Sequence, residues 1–360
     1  MSRAIVAVSL LGLLFCLPAI PQSQDKQEKP KPEQQPDQPT TRFVGQAIDV
    51  IVPVTVTDDK GRFVSNLTAK DFRVLDEGQP QRIRFFSHSE AQPIVVGFLI
   101  DLSNASKIHW KTYQDAILEL VWHLLPGDPR YSGYLISYSN DAELVVNTTT
   151  DSDKIADKVR KMKPGGGAAL FDAVYIACTN RSLIKGEPYE PRRIIIIVGD
   201  GHDSASKKTL EEVLELAQRN LVTIYAVSTM AFGFSNEDQS ILEKLTTETG
   251  GHVEYPLNTL YKDVSGYLSN PQDAGNYALT VGTGGYAAEI SRGIINAVAG
   301  VSGEITTQYV LRYTPDVEPE VRAKVFRKIK VEVPELPTVK IHARIGYYPN
   351  GVPQGSPGGQ

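Results

Sequence analysis

The run VVGFLIDLSNASK, Val95 to Lys107, decides the fold. With Ile94 in front of it, the stretch to Ile100 is apolar on both faces of an extended chain, as a central parallel strand must be. It ends abruptly on Asp101, with Ser103 two residues on and Ala105 two further. Two more strands of this kind follow, RRIIIIVGD (Arg192 to Asp200) and Val222 to Val227. Between and after them lie stretches with helical spacing. Tyr113 to Leu125 carries Ile117, Leu120, Val121 and Leu124 on one face. Lys154 to Met162, Leu170 to Leu183 and Thr209 to Arg219 follow, and Asp238 to Thr249 is closed by Gly250 and Gly251. YSGYLISYS and AELVVN read as two strands. The alternation predicts an α/β fold with an open, doubly wound, mostly parallel sheet.

Outside this unit the pattern is β. Ile48 to Thr57 alternates β-branched residues, and Phe72–Val74 and Ile83–Phe85 follow around turns. At the other end, TTQYVLRYTP, RKIKVEVPE and VKIHARIGYYP read as three strands. Neither set has partners enough to bury a core alone. The two are therefore expected to pair as one β-sandwich-like domain. The expected layout is 44–92 as the N-terminal β segment, 93–302 as the α/β domain and 303–349 as the C-terminal β segment. Leu257 to Ala287 reads as an insertion; the alternative is a tandem echo, since GTGGYAAEI resembles the earlier TETGGHVEY. Ser291 to Val301 reads as a helix.

Of the 360 residues, 41% are hydrophobic and 22% charged, enough for packed cores. The formal net charge of -5 and the lack of a basic block argue against nucleic acid as a partner. Arg3 and the apolar run Ala4 to Ile20, broken by Pro18, read as a secretory signal over 1–23. Export to the periplasm, the outer surface or the medium is the expectation, with no transmembrane span in the mature chain. Residues 24–43 are rich in Pro, Gln and Lys and read as a disordered linker, and 350–360 as a flexible tail. Cys16 follows Phe15, where a lipidation signal calls for a small residue. With Cys16 removed, Cys178 is alone, which excludes an intrachain disulfide and a cysteine zinc site.

Catalytic motifs are missing. There is no G-x-S-x-G elbow, no H-E-x-x-H and no P-loop lysine after GGGAAL. VGTGGYAAE does not follow the first strand of a βαβ unit, so a dinucleotide site is not expected. His202, near Asp200, reads as an exposed loop residue. Trp122 reads as core, and Trp110 as near the rim of the first loop. The chain reads as a non-enzyme.

Several motifs together carry a resemblance. They are LTAKDFRVLDEGQPQRIRFF, GFLIDLS, GGGAALFDAV, IIIIVGDGHDSAS, ETGGHVEYP and the ending QYVLRYTP, RKIKVEV and VKIHARIGYYP. From Val44 to Pro349 the chain resembles a bacterial family related to the von Willebrand factor A domain and abundant in acidobacteria. The resemblance implies a metal-ion-dependent adhesion site at the carboxyl edge of the sheet. That site takes Asp-x-Ser-x-Ser from one loop, Thr from a second and Asp from a third. Asp101, Ser103 and Asp200 match it, whereas Ala105 and Ala168 stand at two hydroxyl positions, and Ser106, one residue beyond the pattern, would need a shifted loop. Mg²⁺ prefers oxygen ligands and keeps several waters, so water could complete such a set. Two readings stay open: a weakened Mg²⁺ site, or a metal-free loop whose acids bond to backbone. Asp172 is expected to orient a loop or cap a helix. The functional expectation is an exported protein that binds a protein or cell-surface partner. The alternative is an envelope structural or assembly protein acting through its β-domain, on the Tyr309 and Tyr347 strands, without metal.

Overall fold

The computed structural model describes residues 49–88, 92–107, 109–180, 183, 191–230, 237–257, 283–315 and 325–349. The expected signal, linker and tail, and nearly all of the expected insertion, lie outside these residues.

Three uninterrupted apolar runs make the centre of the molecule. β5 (Ile94–Asp101), β8 (Arg192–Gly199) and β9 (Thr223–Ser228) are buried almost throughout. With β6 (Tyr131–Tyr138), β7 (Ala142–Thr149) and β10 (Val253–Glu254) they form a six-stranded sheet in the order β10-β9-β8-β5-β6-β7. All neighbours are parallel except β6 and β7. Helices cover both faces, as the unbroken apolarity of the strands requires. α1 (Trp110–Leu124), α2 (Ser152–Val159) and the long α6 (Thr283–Thr307) contribute to the core on one face. α3 (Leu170–Thr179), α4 (Leu210–Arg219) and α5 (Glu237–Thr247) cover the other. Local chemistry sets the helix starts. Asp151 accepts the Asp153 amide at the head of α2, and Thr209 and Glu212 form a reciprocal capping box at the head of α4.

The flanking strands pair across the length of the chain. β1 (Val50–Thr57) lies between β11 (Tyr309–Tyr313) and β13 (Lys340–Ala343), and β4 (Phe85–His88) closes the sheet beside β11. A second antiparallel sheet runs β14-β12-β2-β3, from β14 (Gly346–Tyr347), β12 (Arg327–Glu332), β2 (Arg73–Asp76) and β3 (Gln79–Gln81). The two sheets share one apolar core containing Val52, Val54, Phe72, Val74, Leu311, Tyr313 and Ile329. N- and C-terminal strands do pair with each other, as their lack of local partners requires.

Some expectations fail. GTGGYAAEI does not form a Gly-Gly-then-strand unit, because α6 begins at Thr283 and runs unbroken to Thr307, through the expected boundary at 302–303. Trp122 is not core: it is 37% exposed, with Arg160 over its ring and its indole N–H directed at Asp153. Trp110 instead packs partly buried against the core. Their neighbours in α1 explain this, since Ile117, Leu120, Val121 and Leu124 define the buried face and Trp122 lies off it. Tyr309 and Tyr347 are also buried, with hydroxyls bonded to Val64 and Asp76. Their side chains pack in the core shared by the two antiparallel sheets.

A polar network joins the sheets to the α/β unit. Buried Arg192 donates to Gln308 at 2.6 Å and to the Ile305 carbonyl at 3.0 Å. Gln308 in turn donates to the Tyr225 hydroxyl at 2.6 Å and to Thr55 of β1 at 3.2 Å.

Candidate functional site

The strand order turns at β5, whose chain neighbour β6 lies on one side while β8 lies on the other. Loops after β5 and β8 therefore diverge and leave a crevice at the carboxyl edge, the general ligand position of such sheets. Asp101 ends β5, and Asp200 directly follows β8.

Asp101 is 1% exposed and organises its own loop. Its carboxylate accepts the Ser103 amide at 2.7 Å and the Ser103 hydroxyl at 3.1 Å. The next residues tighten into a 3₁₀ turn, Ala105–Lys107. This turn changes which residue faces inward. Ala105 is exposed and Ser106 is buried. The Ser106 hydroxyl has no hydrogen-bond partner within 3.5 Å, yet it lies close enough to favour the Asp101 carboxylate. The hydroxyl of this turn that is buried beside Asp101 is therefore that of Ser106, one residue beyond the alanine.

The second and third loops are knitted to each other through backbone. Ala168 is fully buried. Its amide is held by the Ser204 hydroxyl at 3.1 Å, and its carbonyl accepts the Ser204 and Ala205 amides at 2.8 and 3.0 Å. Asp203 caps the head of α3 through the Phe171 amide at 3.0 Å and accepts the Ser206 hydroxyl at 2.5 Å. Asp172 reaches back to the Lys207 and Lys208 amides, each at 3.1 Å, so it orients the third loop as expected. Asn140 fixes the second loop by accepting the Gly167 amide at 2.7 Å.

Two glycines allow this close approach. A Cβ on Gly199 would strike the Tyr138 hydroxyl and lie 2.9 Å from the Asp101 Cβ. Gly201 has φ +92°, and a side chain there would run into the Asp238 carbonyl at the head of α5.

The electrostatics are acidic. Burial pushes Asp101 up to about 6; the Ser103 amide opposes this and nearby Asp200 reinforces it. Burial also raises Asp200, the His202 amide at 2.9 Å opposes this, and Asp238 adds repulsion. Among the described residues, no Lys or Arg makes an ion pair with Asp101 or Asp200. His202 stands 3.2 Å from Asp238 and is half exposed, the loop residue it was expected to be. Asp238 was not foreseen, because only the folded packing of α5 against Gly201 brings it to the edge.

The fold and this crevice define a doubly wound α/β domain with an acid- and hydroxyl-lined loop cluster at its switch point. Residues 96–261 match the sequence model of the von Willebrand factor type A domain. No curated protein sequence matches the chain. Among solved structures, the chain is similar to the conserved hypothetical protein BatB from Bacteroides thetaiotaomicron, with 15% identity and a TM-score of 0.36 over 44% of this chain and 88% of that one. The VWA domain of SpRpn10 gives 18% and 0.36 over 45% and 86%. Proximal thread matrix protein 1 from the mussel byssus, with a zinc-occupied adhesion-site motif, gives 15% and 0.37 over 47% and 43%. At these identities and scores they are distant likenesses to part of the chain.

Proposed function

We propose that this is an exported, non-enzymatic interaction protein that recognises a protein or cell-surface partner at the carboxyl edge of its six-stranded sheet, aided by a weakly held Mg²⁺. The observation that carries the reading is the juxtaposition of two carboxylates, Asp101 and Asp200, neither ion-paired to a Lys or Arg among the described residues, with the buried hydroxyls of Ser103 and Ser106. Two close carboxylates repel unless a cation compensates them. The partnerless Ser106 hydroxyl fits the oxygen-donor set that Mg²⁺ prefers. Asp101, Ser103, Ser106 and Asp200 would hold the ion, with water supplying what Ala105 and Ala168 do not. When bound, such an ion offers an open position to a carboxylate of a partner. The role of these domains as interaction modules supports the non-enzymatic reading, and so does the absence of a catalytic motif from the sequence. The apolar run Ala4 to Ile20 behind Arg3 supports export. Among the described residues, no helix is long and apolar enough to cross a membrane.

The test is calorimetric titration with Mg²⁺ and Mn²⁺, followed by pull-down from envelope extract with wild type and Asp101→Ala. Metal-dependent heat and a partner lost in the variant support the reading. No heat and no melting shift at millimolar metal would sink the metal, and identical partner sets would sink the recognition edge.

A further inference from the structure

A second group of metal-binding side chains lies away from the acidic crevice. His252 immediately precedes β10, Glu304 sits in the last turns of α6, and His342 is on β13. One ligand atom from each can be chosen so that all three lie within 4.8 Å of one another. The Nδ1 atoms of both imidazoles face the same oxygen, Oε2 of Glu304, at 2.8 Å from His252 and 3.6 Å from His342. Donor atoms in a tetrahedral zinc site stand roughly 3.4 Å apart, given zinc–ligand distances near 2.0–2.2 Å. The observed separations bracket that value. Both Nδ1 atoms are buried, and neither makes an aligned hydrogen bond. The short His252 contact is therefore ionic and off the N–H axis.

The surroundings orient these donors. The other nitrogen of His252, Nε2, is 2.9 Å from Glu254 Oε1, so Nε2–H donates there and Nδ1, facing Glu304, is the nitrogen that binds once its proton leaves. A carboxylate behind a ligating histidine is the usual support of a metal-bound imidazole. The Tyr225 hydroxyl donates to Glu304 Oε1 at 3.3 Å and is itself fixed by Gln308, which leaves Oε2 for an ion. Glu304 is 2% exposed, so its charge is placed where it must be compensated. Two neutral imidazoles with the carboxylates of Glu304 and Glu254 balance a divalent cation. Two nitrogens and one oxygen suit Zn²⁺ rather than Mg²⁺ or Ca²⁺.

We propose that His252, Glu304 and His342 bind Zn²⁺, with Glu254 orienting His252, and that the ion clips the α/β unit to the antiparallel sheet carrying β13. The three ligands come from elements in different layers, so binding stabilises their docking by mass action. Water takes the fourth position on the half-exposed His342 side. The proton on His252 Nδ1 is released to solvent as the Zn–N bond forms.

The experiment uses the chelator-stripped protein, titrated with Zn²⁺ by calorimetry and thermal melting and with Co²⁺ by visible absorption. Wild type and Asp101→Ala should each bind one equivalent with the visible band of tetrahedral Co²⁺ and a rise in melting temperature. His342→Ala and Glu304→Gln should lose that band, and Glu254→Gln should bind roughly 10–100-fold more weakly. His342 is the most exposed ligand, so His342→Ala keeps the test valid if Glu304→Gln fails to fold, with circular dichroism as the check. Absence of binding in wild type, or binding that survives His342→Ala and disappears in Asp101→Ala, would overturn the proposal and leave the cluster as an ion pair only. Because Asp101→Ala is scored separately, failure of this site and failure of the acidic crevice are distinguishable.

Discussion

Asp101→Asn should make the metal-free protein more stable at neutral pH. Asp101 sits 1% exposed, without a cation, near a second acid. Burial, opposed by the Ser103 amide and aided by Asp200, raises its carboxyl from 3.8 to about 6. At about 1.4 kcal/mol per tenfold, that rise corresponds to about 3 kcal/mol of unfavourable ionisation in the folded state at pH 7.5. Asparagine keeps the shape and an acceptor for the Ser103 amide, and like the protonated acid it makes only neutral hydrogen bonds, whose difference from the ionic ones is already contained in that rise. A net gain of about 3 kcal/mol is expected at pH 7.5, or about 6 °C in melting temperature for a protein of this size. The sign against pH follows from the direction of the shift. A carboxyl whose folded pKa is raised binds more protons in the folded state. Its favourable contribution is complete below about pH 3.8 and is lost as pH rises through about 6. The advantage of Asp101→Asn should therefore be near zero at pH 4 and full by pH 7. The assay is thermal and urea melting in chelator at pH 4, 5.5 and 7.5, repeated with millimolar Mg²⁺. If Asp101→Asn melts lower than wild type in chelator at pH 7.5, the acid is compensated by something else and the reasoning fails.

Other perturbations test the architecture around this edge. Gly199→Ala should lower the unfolding free energy by about 1–3 kcal/mol, read from urea melting, because the new methyl meets the buried Tyr138 hydroxyl and the Asp101 Cβ. Asp203→Ala should destabilise by about 1–2 kcal/mol by uncapping the Phe171 amide, and amide exchange at the head of α3 should rise with it. Cys178 is buried and its thiol is pushed up to about 12 by burial, with Arg193 opposing. It should resist a maleimide or disulfide reagent at pH 8 in the native protein and react stoichiometrically once urea unfolds the chain.

The legible parts of the molecule are those set by one strong local signal. β5, β8 and β9 were readable because a strand buried on both faces has no polar residue to blur it. Asp101 and Asp200 were readable because each ends or follows such a strand. The pairing of terminal strands was readable by deficit, since β1 had no partner nearby. What escaped depends on phase or on long-range packing. Spacing alone offered Ser106 only if the loop shifted, and it is a single 3₁₀ turn that buries Ser106 and leaves Ala105 exposed. The Gly-Gly run before Tyr286 hid the start of α6, because glycine penalises a helix that tertiary contacts then support. His252, Glu304 and His342 lie far apart in sequence and are joined only when β13 pairs with β1. Trp122 was misplaced because its size suggested burial, whereas the apolar face of α1 is complete without it.

The junction between the α/β unit and its antiparallel support has a mechanical consequence. The chain leaves β4 at His88 and returns on β11 at Tyr309, and these two residues sit opposite each other in register. The whole six-stranded unit therefore hangs from one closed neck. β1 also lies between β11 and β13 in the same sheet. Tension applied ahead of β1 and beyond β14 is borne by the ladders of the two antiparallel sheets and bypasses the crevice at Asp101 and Asp200. Force applied at the carboxyl edge of the six-stranded sheet would reach the support through the neck at His88 and Tyr309 and through the buried contacts of Arg192 with Gln308 and of Gln308 with Thr55. The support can thus carry load along its own ladders, while load on the carboxyl edge is shared between the β4–β11 ladder and that buried network.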